Sequence, residues 1–191
     1  TFGGGEALLR KDLFDLICYC RARDLHVVLA SNGTLLSEEV AARLKNAGVE
    51  DVIIPIDGTQ KTHDAIRGEG VFEKATKSAR AVRNAGLGLV MYTCIMKQNE
   101  IETAKIIDIS EYLGARQCRF CHYVSMGRGK EVLPDSERGS VQYAQNLMQL
   151  YEKQNRRKGL EICTTQACQY WVILKRKEEA GLFVPDFFYT E

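Results

Sequence analysis

HVVLASNGTLLSEEVAARLKNAGVEDVIIPIDG, residues 26–58, decides the fold class of this 191-residue chain. It holds two short apolar runs, His26-Val27-Val28-Leu29-Ala30 and Val52-Ile53-Ile54-Pro55-Ile56. Each has the length of a buried strand, and each closes on turn residues, Ser31-Asn32-Gly33 and Asp57-Gly58. Between them Ser37 is set to cap a helix carrying Val40, Ala41 and Leu44, with Gly48 closing it. Strand, helix and strand joined by short connections make a βαβ unit, whose strands lie parallel.

The same alternation extends in both directions. Upstream, residues 7–22 place Leu9, Leu13, Leu16, Ile17 and Cys20 at helical spacing, and a further strand is expected at or just before Thr1. Downstream, a helix is predicted from about Phe72 to Ala85, a strand from Leu89 to Met96, and a strand from Cys118 to Val124. Between those strands Asn99 is read as the cap of a helix carrying Ala104, Ile107 and Leu113 before Gly114. Beyond Gly129 the alternation breaks. A helix from about Val141 to Arg157, a short strand at Leu160-Glu161-Ile162-Cys163 and a basic helix to about Glu179 follow. Right-handed crossovers would set the strands side by side. The expected class is therefore α/β, an incomplete (βα) barrel over residues 1–130 with a helical extension over 131–191.

Composition narrows the function. Twenty-six basic and twenty-five acidic side chains leave a net charge of +1, with 45% hydrophobic residues. That balance gives no electrostatic reason to expect nucleic acid or an acidic membrane as partner. Apolar runs are too short to span a bilayer and no signal pattern opens the chain, so a cytoplasmic setting is expected. Seven cysteines in a chain of this length suit thiol, metal or redox use better than a secreted disulfide framework.

In parallel α/β folds ligands sit at the carboxyl ends of strands. Those ends carry Gly4-Gly5-Glu6, Ser31-Asn32-Gly33, Asp57-Gly58, Lys97 to Asn99 and Ser125-Met126-Gly127-Arg128-Gly129. Consecutive glycines let backbone approach a ligand closely, and a following carboxylate can accept from an ammonium. The plainer account is a strand-to-helix turn with a glutamate in the first helical turn.

The motifs taken together resemble the radical S-adenosylmethionine (radical SAM) superfamily, in its branch that matures peptides or modifies haems. In order they are Phe2-Gly3-Gly4-Gly5-Glu6-Ala7-Leu8-Leu9-Arg10, Ser31-Asn32-Gly33-Thr34-Leu35, Ile56-Asp57-Gly58 with His63-Asp64-Ala65-Ile66-Arg67-Gly68, Gly70-Val71-Phe72-Glu73-Lys74-Ala75, and Lys97-Gln98-Asn99. Each alone is a weak signal, but five in this order make a specific one. Cys121-His122-Tyr123-Val124-Ser125-Met126-Gly127-Arg128-Gly129 looks most like the haem synthases. The likeness spans roughly residues 1–130, and 131–175 more loosely.

The resemblance implies an oxidoreductase that cleaves SAM at a 4Fe-4S cluster, making a 5′-deoxyadenosyl radical that modifies a haem-like cofactor precursor or a peptide. It implies a small-molecule or peptide substrate, and a reductant such as ferredoxin or flavodoxin. By it, Gly4, Gly5 and Glu6 would meet the methionyl amino group of SAM, and Ser31 and Asn32 would lie near the same ligand. Asp57 would lie near the ribose, and Arg67 would pair with a carboxylate. His122 and Arg128 would face substrate. Two rival readings are a degenerate cluster-free SAM-binding or interaction domain, and an α/β-barrel lyase using Asp57 and a lysine.

Two departures stand out. The family's C-x3-C-x2-C loop is expected before the Gly-Gly-Glu strand and is absent from this sequence, so no metal ligand is assigned. Pro55 stands where the family usually has serine, which removes a hydroxyl and a backbone donor. Cys118 and Cys121 form a C-x2-C, but three residues apart in a strand they face opposite sides. Cys18 and Cys20 diverge by about 200° on a helix, Cys94 is expected to pack in the core, and Cys163 and Cys168 are the remaining pair. His26 is expected at an edge, and His63 in a structural role within a loop. An open sheet edge and the aromatics Phe183, Phe187, Phe188 and Tyr189 predict a homodimer of the chain.

Overall fold

Apolar residues at every second position of the strands are what the helices cover. The computed structural model describes residues 1–123 and 159–165, and within them five strands form one sheet. These are β1 (Val28–Ala30), β2 (Asp51–Pro55), β3 (Gly88–Ile95), β4 (Gln117–His122) and β5 (Glu161–Thr165). They lie in sequence order and every neighbouring pair is parallel. The α-helices among the described residues are α1 (Leu13–Arg21) before β1, α2 (Glu38–Asn46) between β1 and β2, α3 (Gln60–Arg67) and α4 (Val71–Asn84) between β2 and β3, and α5 (Thr103–Tyr112) between β3 and β4. The architecture is an incomplete (βα) barrel.

Val52, Ile54, Leu89, Met91, Cys118, Phe120 and Ile162 are buried on one face of the sheet, with α4 packed on β2 and β3 and α5 on β4. Ala75, Ala79 and Val82 give α4 a flat buried stripe for that contact. The other face carries Ile53, Pro55, Tyr92 and Cys94, all partly exposed. Beyond β1 the expected additional strand is present as a single bridge, Phe2 N–H to Val28 O at 2.8 Å and Ala30 N–H to Phe2 O at 2.8 Å. Among the described residues no helix is long and apolar enough to cross a membrane.

Helix α2 begins and ends as its sequence predicts. Ser37 Oγ accepts Val40 N–H at 3.2 Å, and Gly48 follows the helix with φ of +92°. Three expectations need correction. Residues 7–22 are not one helix: Glu6 caps a 3-10 turn at Ala7–Leu9, Leu9 stays exposed, and α1 starts only at Leu13. His63 lies not in a loop but in helix α3, which lacks an apolar stripe to mark it. Glu102 holds its start, accepting from Thr59 N at 2.7 Å, Thr59 Oγ1 at 3.1 Å and Thr62 Oγ1 at 3.0 Å. Asn99 does not cap a helix with its side chain. It is 1% exposed, its Oδ1 accepts Met96 N–H at 2.8 Å, and its Nδ2 donates to Asp57 O at 2.9 Å and Cys94 O at 2.8 Å.

The predicted helices at 141–157 and to 179, the aromatics near the end and Arg128 lie outside the described residues.

Candidate active site

The first part of the site is built around one carboxylate. Gly4 has φ of +118°, a conformation that turns the chain so that Glu6 reaches the end of β1. There Glu6 Oε2 accepts Asn32 N–H at 2.8 Å and Ser31 Oγ–H at 3.2 Å, while Oε1 accepts Leu8 N–H at 3.1 Å. The Gly-Gly-Glu turn and the Ser-Asn-Gly loop are thus one hydrogen-bonded unit. Asn32 Oδ1 accepts Thr34 N–H at 2.8 Å, and Ser78 Oγ of α4 donates to Gly33 O at 2.5 Å and Leu36 O at 2.9 Å. Gly33, at φ of +81°, lets this loop lie flat on α4, since a Cβ there would stand 3.1 Å from Ala75 Cα.

Asp57 organises the second part. Its carboxylate is fully buried, with Arg67 Nε donating to Oδ2 at 2.5 Å and Cys94 N–H to Oδ1 at 2.9 Å. Its own N–H donates to His63 Nδ1 at 3.0 Å. A buried carboxylate is costly unless it is paired and hydrogen-bonded, and here both oxygens are. Burial holds the His63 imidazole below its ordinary pKa, consistent with a neutral ring accepting at Nδ1.

Pro55 stands where the β1–β2 ladder ends. Ser31 N–H reaches Ile53 O on the β1 side, and Ile56 N–H reaches Tyr92 O on the β3 side. Alternation turns the Pro55 nitrogen toward β1 beside Ser31, one position past the end of that short strand, so the proline ends this ladder.

Between the two parts lies an open pocket of about 180 Å³, lined by Gly4, Gly5, Ala30, Ser31, Asn32, Ile53, Pro55, Arg67 and Tyr92. A neighbouring hollow of about 310 Å³ is lined by Asn32, Thr34, Ile66, Arg67 and Val71. Asn32 and Arg67 border both, so the two are halves of one cleft.

Of the residues expected here, Gly4, Gly5, Ser31, Asn32 and Arg67 line the cleft. Glu6 and Asp57 do not. Glu6 holds the loop that carries Ser31 and Asn32, and Asp57 lies beneath the cleft and holds Arg67. Asp57 is fully buried with both carboxylate oxygens engaged, so within this chain its side chain reaches the cleft through Arg67. His122 ends β4, and its backbone pairs with Ile95. Tyr92, the buried His63 and Asn99, and the part-buried Glu102 are contributions that sequence reading missed or assigned elsewhere. The signal available for His63 was its place four residues before Arg67, one turn away on a helix.

A sequence profile of the Radical SAM superfamily matches residues 1–109. The chain is 34% identical over 176 residues to an AdoMet-dependent heme synthase of Methanosarcina barkeri, covering 91% of this chain and 49% of that protein. It is 34% identical over 133 residues to an Fe-coproporphyrin III synthase of the same organism, covering 69% of this chain and 33% of that protein. The chain thus spans half or less of the length of these relatives. Among solved structures, Streptococcus suis SuiB bound to precursor peptide SuiA superposes with a TM-score of 0.71 at 12% identity, covering 98% of this chain and 41% of that one. That likeness concerns the fold alone.

Proposed function

The chain belongs to the Radical SAM superfamily, and from that premise we propose that it supplies the SAM-binding wall of an enzyme that modifies a haem-like cofactor precursor. The observation that carries this reading is the convergence of Gly4-Gly5, Ser31-Asn32 and Arg67 on one cleft at the carboxyl ends of β1 and β2. SAM is a zwitterion at its methionyl end, and the cleft is bordered by groups suited to both charges.

In this reading the glycines bring backbone against the methionyl group. A carboxylate offers about four lone-pair positions; Glu6, next in sequence to the lining Gly4-Gly5, gives three to its own chain, and the proposal assigns the fourth to a ligand ammonium at the edge of the cleft. Arg67 engages Asp57 through Nε and presents its terminal nitrogens to the SAM carboxylate or ribose hydroxyls. Asp57, His63 and Asn99 are positioning residues that act through Arg67 and the β2 end. Ile66 and Val71 keep the outer half of the cleft partly dry. His122 and Arg128 belong to the substrate side of the proposal.

When bound, SAM together with a reduced 4Fe-4S cluster supplies one-electron chemistry that yields a 5′-deoxyadenosyl radical. The described residues do not fit the cluster itself: no three His, Cys, Asp or Glu among them are grouped to hold a metal. Cys118 faces α5 and Cys121 the barrel interior, as expected from their offset. No step is assigned to a cluster ligand in this chain.

A haem-like precursor is favoured over a peptide because the relatives at 34% identity carry haem and coproporphyrin names. A low-potential ferredoxin or flavodoxin is the proposed reductant, and the cytoplasm the proposed setting. Calorimetric titration of SAM into the anaerobically prepared protein tests the reading. Glu6→Gln should weaken binding by about 1.5–3 kcal/mol, whereas Arg10→Gln, paired with Asp12 on the exposed side, should leave it unchanged. Absence of SAM binding by the wild type, or equal affinities for all three, would overturn it.

A further inference from the structure

Cys94 is half-buried on the inner face of the sheet, and a second cysteine stands opposite it. Cys94 and Cys121 are partners in the β3–β4 ladder. Residues directly across a parallel pair project from the same face. The strands stand about 4.8 Å apart, within the roughly 4.4–6.8 Å between Cα atoms that a disulfide spans. The two thiols are close enough to shift each other's ionisation, and the Tyr92 side chain acts on Cys121 as well. This is the face that carries Asp57, which accepts Cys94 N–H. Cys118 lies on the opposite face against Ser110 Oγ at 3.4 Å.

The thiols differ in reactivity for reasons visible in these contacts. Hydrogen bonds from Cys94 and, more weakly, Tyr92 lower Cys121 to about 7 against the effect of burial. The contact with Cys121, with burial, pushes Cys94 upward, so the two thiols do not ionise together. Burial raises Cys118 to about 12 and Cys163 to about 11, leaving those thiols inert near neutrality.

We propose that Cys94 and Cys121 form a redox-active dithiol in the inner wall of the barrel, closed by mild oxidants to a reversible cross-strand disulfide. This site is independent of the SAM reading. A peroxide oxidises the Cys121 thiolate to a sulfenic acid: the sulfur takes one oxygen, the O–O bond breaks, and the departing hydroxide leaves as water with a proton. The Cys94 sulfur then attacks the sulfenic sulfur, the S–O bond breaks, and a second water leaves with the Cys94 proton. In total two thiols lose two electrons and two protons, and one peroxide becomes two waters. A bridge across parallel strands must draw its Cβ atoms toward about 3.8 Å, and such strain makes a disulfide easily reduced. The bond suits a reversible switch better than a permanent staple. The bridge lies beside the strand end where Cys94 N–H supports Asp57.

Peptide mapping of the anaerobically reduced protein, treated with one equivalent of hydrogen peroxide and then alkylated, tests the proposal. The expected product is a peptide joining Cys94 to Cys121, two hydrogens lighter than the separate peptides and restored by dithiothreitol. Alkylation of Cys121 should rise with pH through about 7, with a midpoint that moves upward in Tyr92→Phe. Recovery of Cys121 as a sulfinic acid, or singly alkylated beside an intact Cys94 at every peroxide level, would overturn the dithiol. The wild-type map needs no variant, so a folding defect in Tyr92→Phe cannot obscure the result.

Discussion

His63 Nδ1 accepts the backbone N–H of Asp57 at 3.0 Å, from a ring with no solvent exposure. The bond requires an unprotonated Nδ1, so the neutral ring carries its hydrogen on Nε2. That nitrogen is buried with no hydrogen-bond partner among the described residues, and Phe72 meets the ring edge-on at 5.7 Å. The ring therefore links two helices to the end of β2. Through Asp57 it bears on Arg67, and through Arg67 on the cleft.

Stability should fall as the solution is acidified, with His63 a principal cause. Burial depresses its folded pKa below the ordinary 6.5. The unfolded chain then binds the additional proton, so the contribution is complete above that value and is lost as pH drops toward the folded pKa. Urea unfolding between about pH 7 and about pH 5 should show the loss, and His63→Asn should flatten it. An equal slope in both proteins would dismiss His63 as the source.

Asp57 and Arg67 should be far less tolerant of single than of joint change. Arg67→Met strands a fully buried carboxylate, and breaking such a pair costs about 3–5 kcal/mol; the one-third exposed guanidinium argues for the lower end. Asp57→Asn with Arg67→Met removes the orphaned charge and should recover part of the loss. A double-mutant cycle by chemical denaturation reads the coupling directly.

The parts of this fold legible in the sequence are those whose signal is local. Apolar runs ending in Ser31-Asn32-Gly33 and Asp57-Gly58 gave the parallel strands, and Ser37 with Gly48 bounded α2. What stayed hidden depends on partners distant along the chain. Helix α3 is held by Glu102, some forty residues away, and Asn99 reads as a cap until its bond to Asp57 O, 42 residues back, is seen. Cys94 looks like a small hydrophobe because ladder register is invisible in a single strand. For the site, residue types were readable, but whether a carboxylate meets ligand or holds its neighbour was decided by packing.

Gly33→Ala should disrupt the Ser31–Asn32 loop more than its small size suggests. A non-glycine residue in the left-handed region costs about 1–2 kcal/mol, and the new Cβ would press on the α4 backbone at 3.1 Å. Relief requires the loop to lift from Ser78, which breaks its bonds to Gly33 O and Leu36 O. Thermal unfolding should show a loss of several degrees, and SAM affinity should fall with it because Asn32 moves. Gly86→Ala, also at positive φ but open around its Cβ, supplies the control: it should pay the backbone term and leave ligand binding intact.

Glu102→Ala should weaken the cleft from a position that does not line it. Its carboxylate takes three bonds at the start of α3, from Thr59 N and the hydroxyls of Thr59 and Thr62. An anion at a helix N-terminus also complements the helix dipole, together worth about 1–2 kcal/mol. The helix it starts contains His63 and ends with Arg67, so fraying the first turn loosens both contacts to Asp57. Two measurements separate this from general destabilisation. At a temperature where the variant is fully folded, SAM affinity should still drop, and hydrogen exchange should quicken at His63 N–H, which bonds to Thr59 O at 2.8 Å. Glu102→Gln keeps an acceptor for the hydroxyls but loses the charge, and should fall between the wild type and Glu102→Ala. If exchange quickens while affinity holds, the start of α3 is a structural cap with no bearing on Arg67.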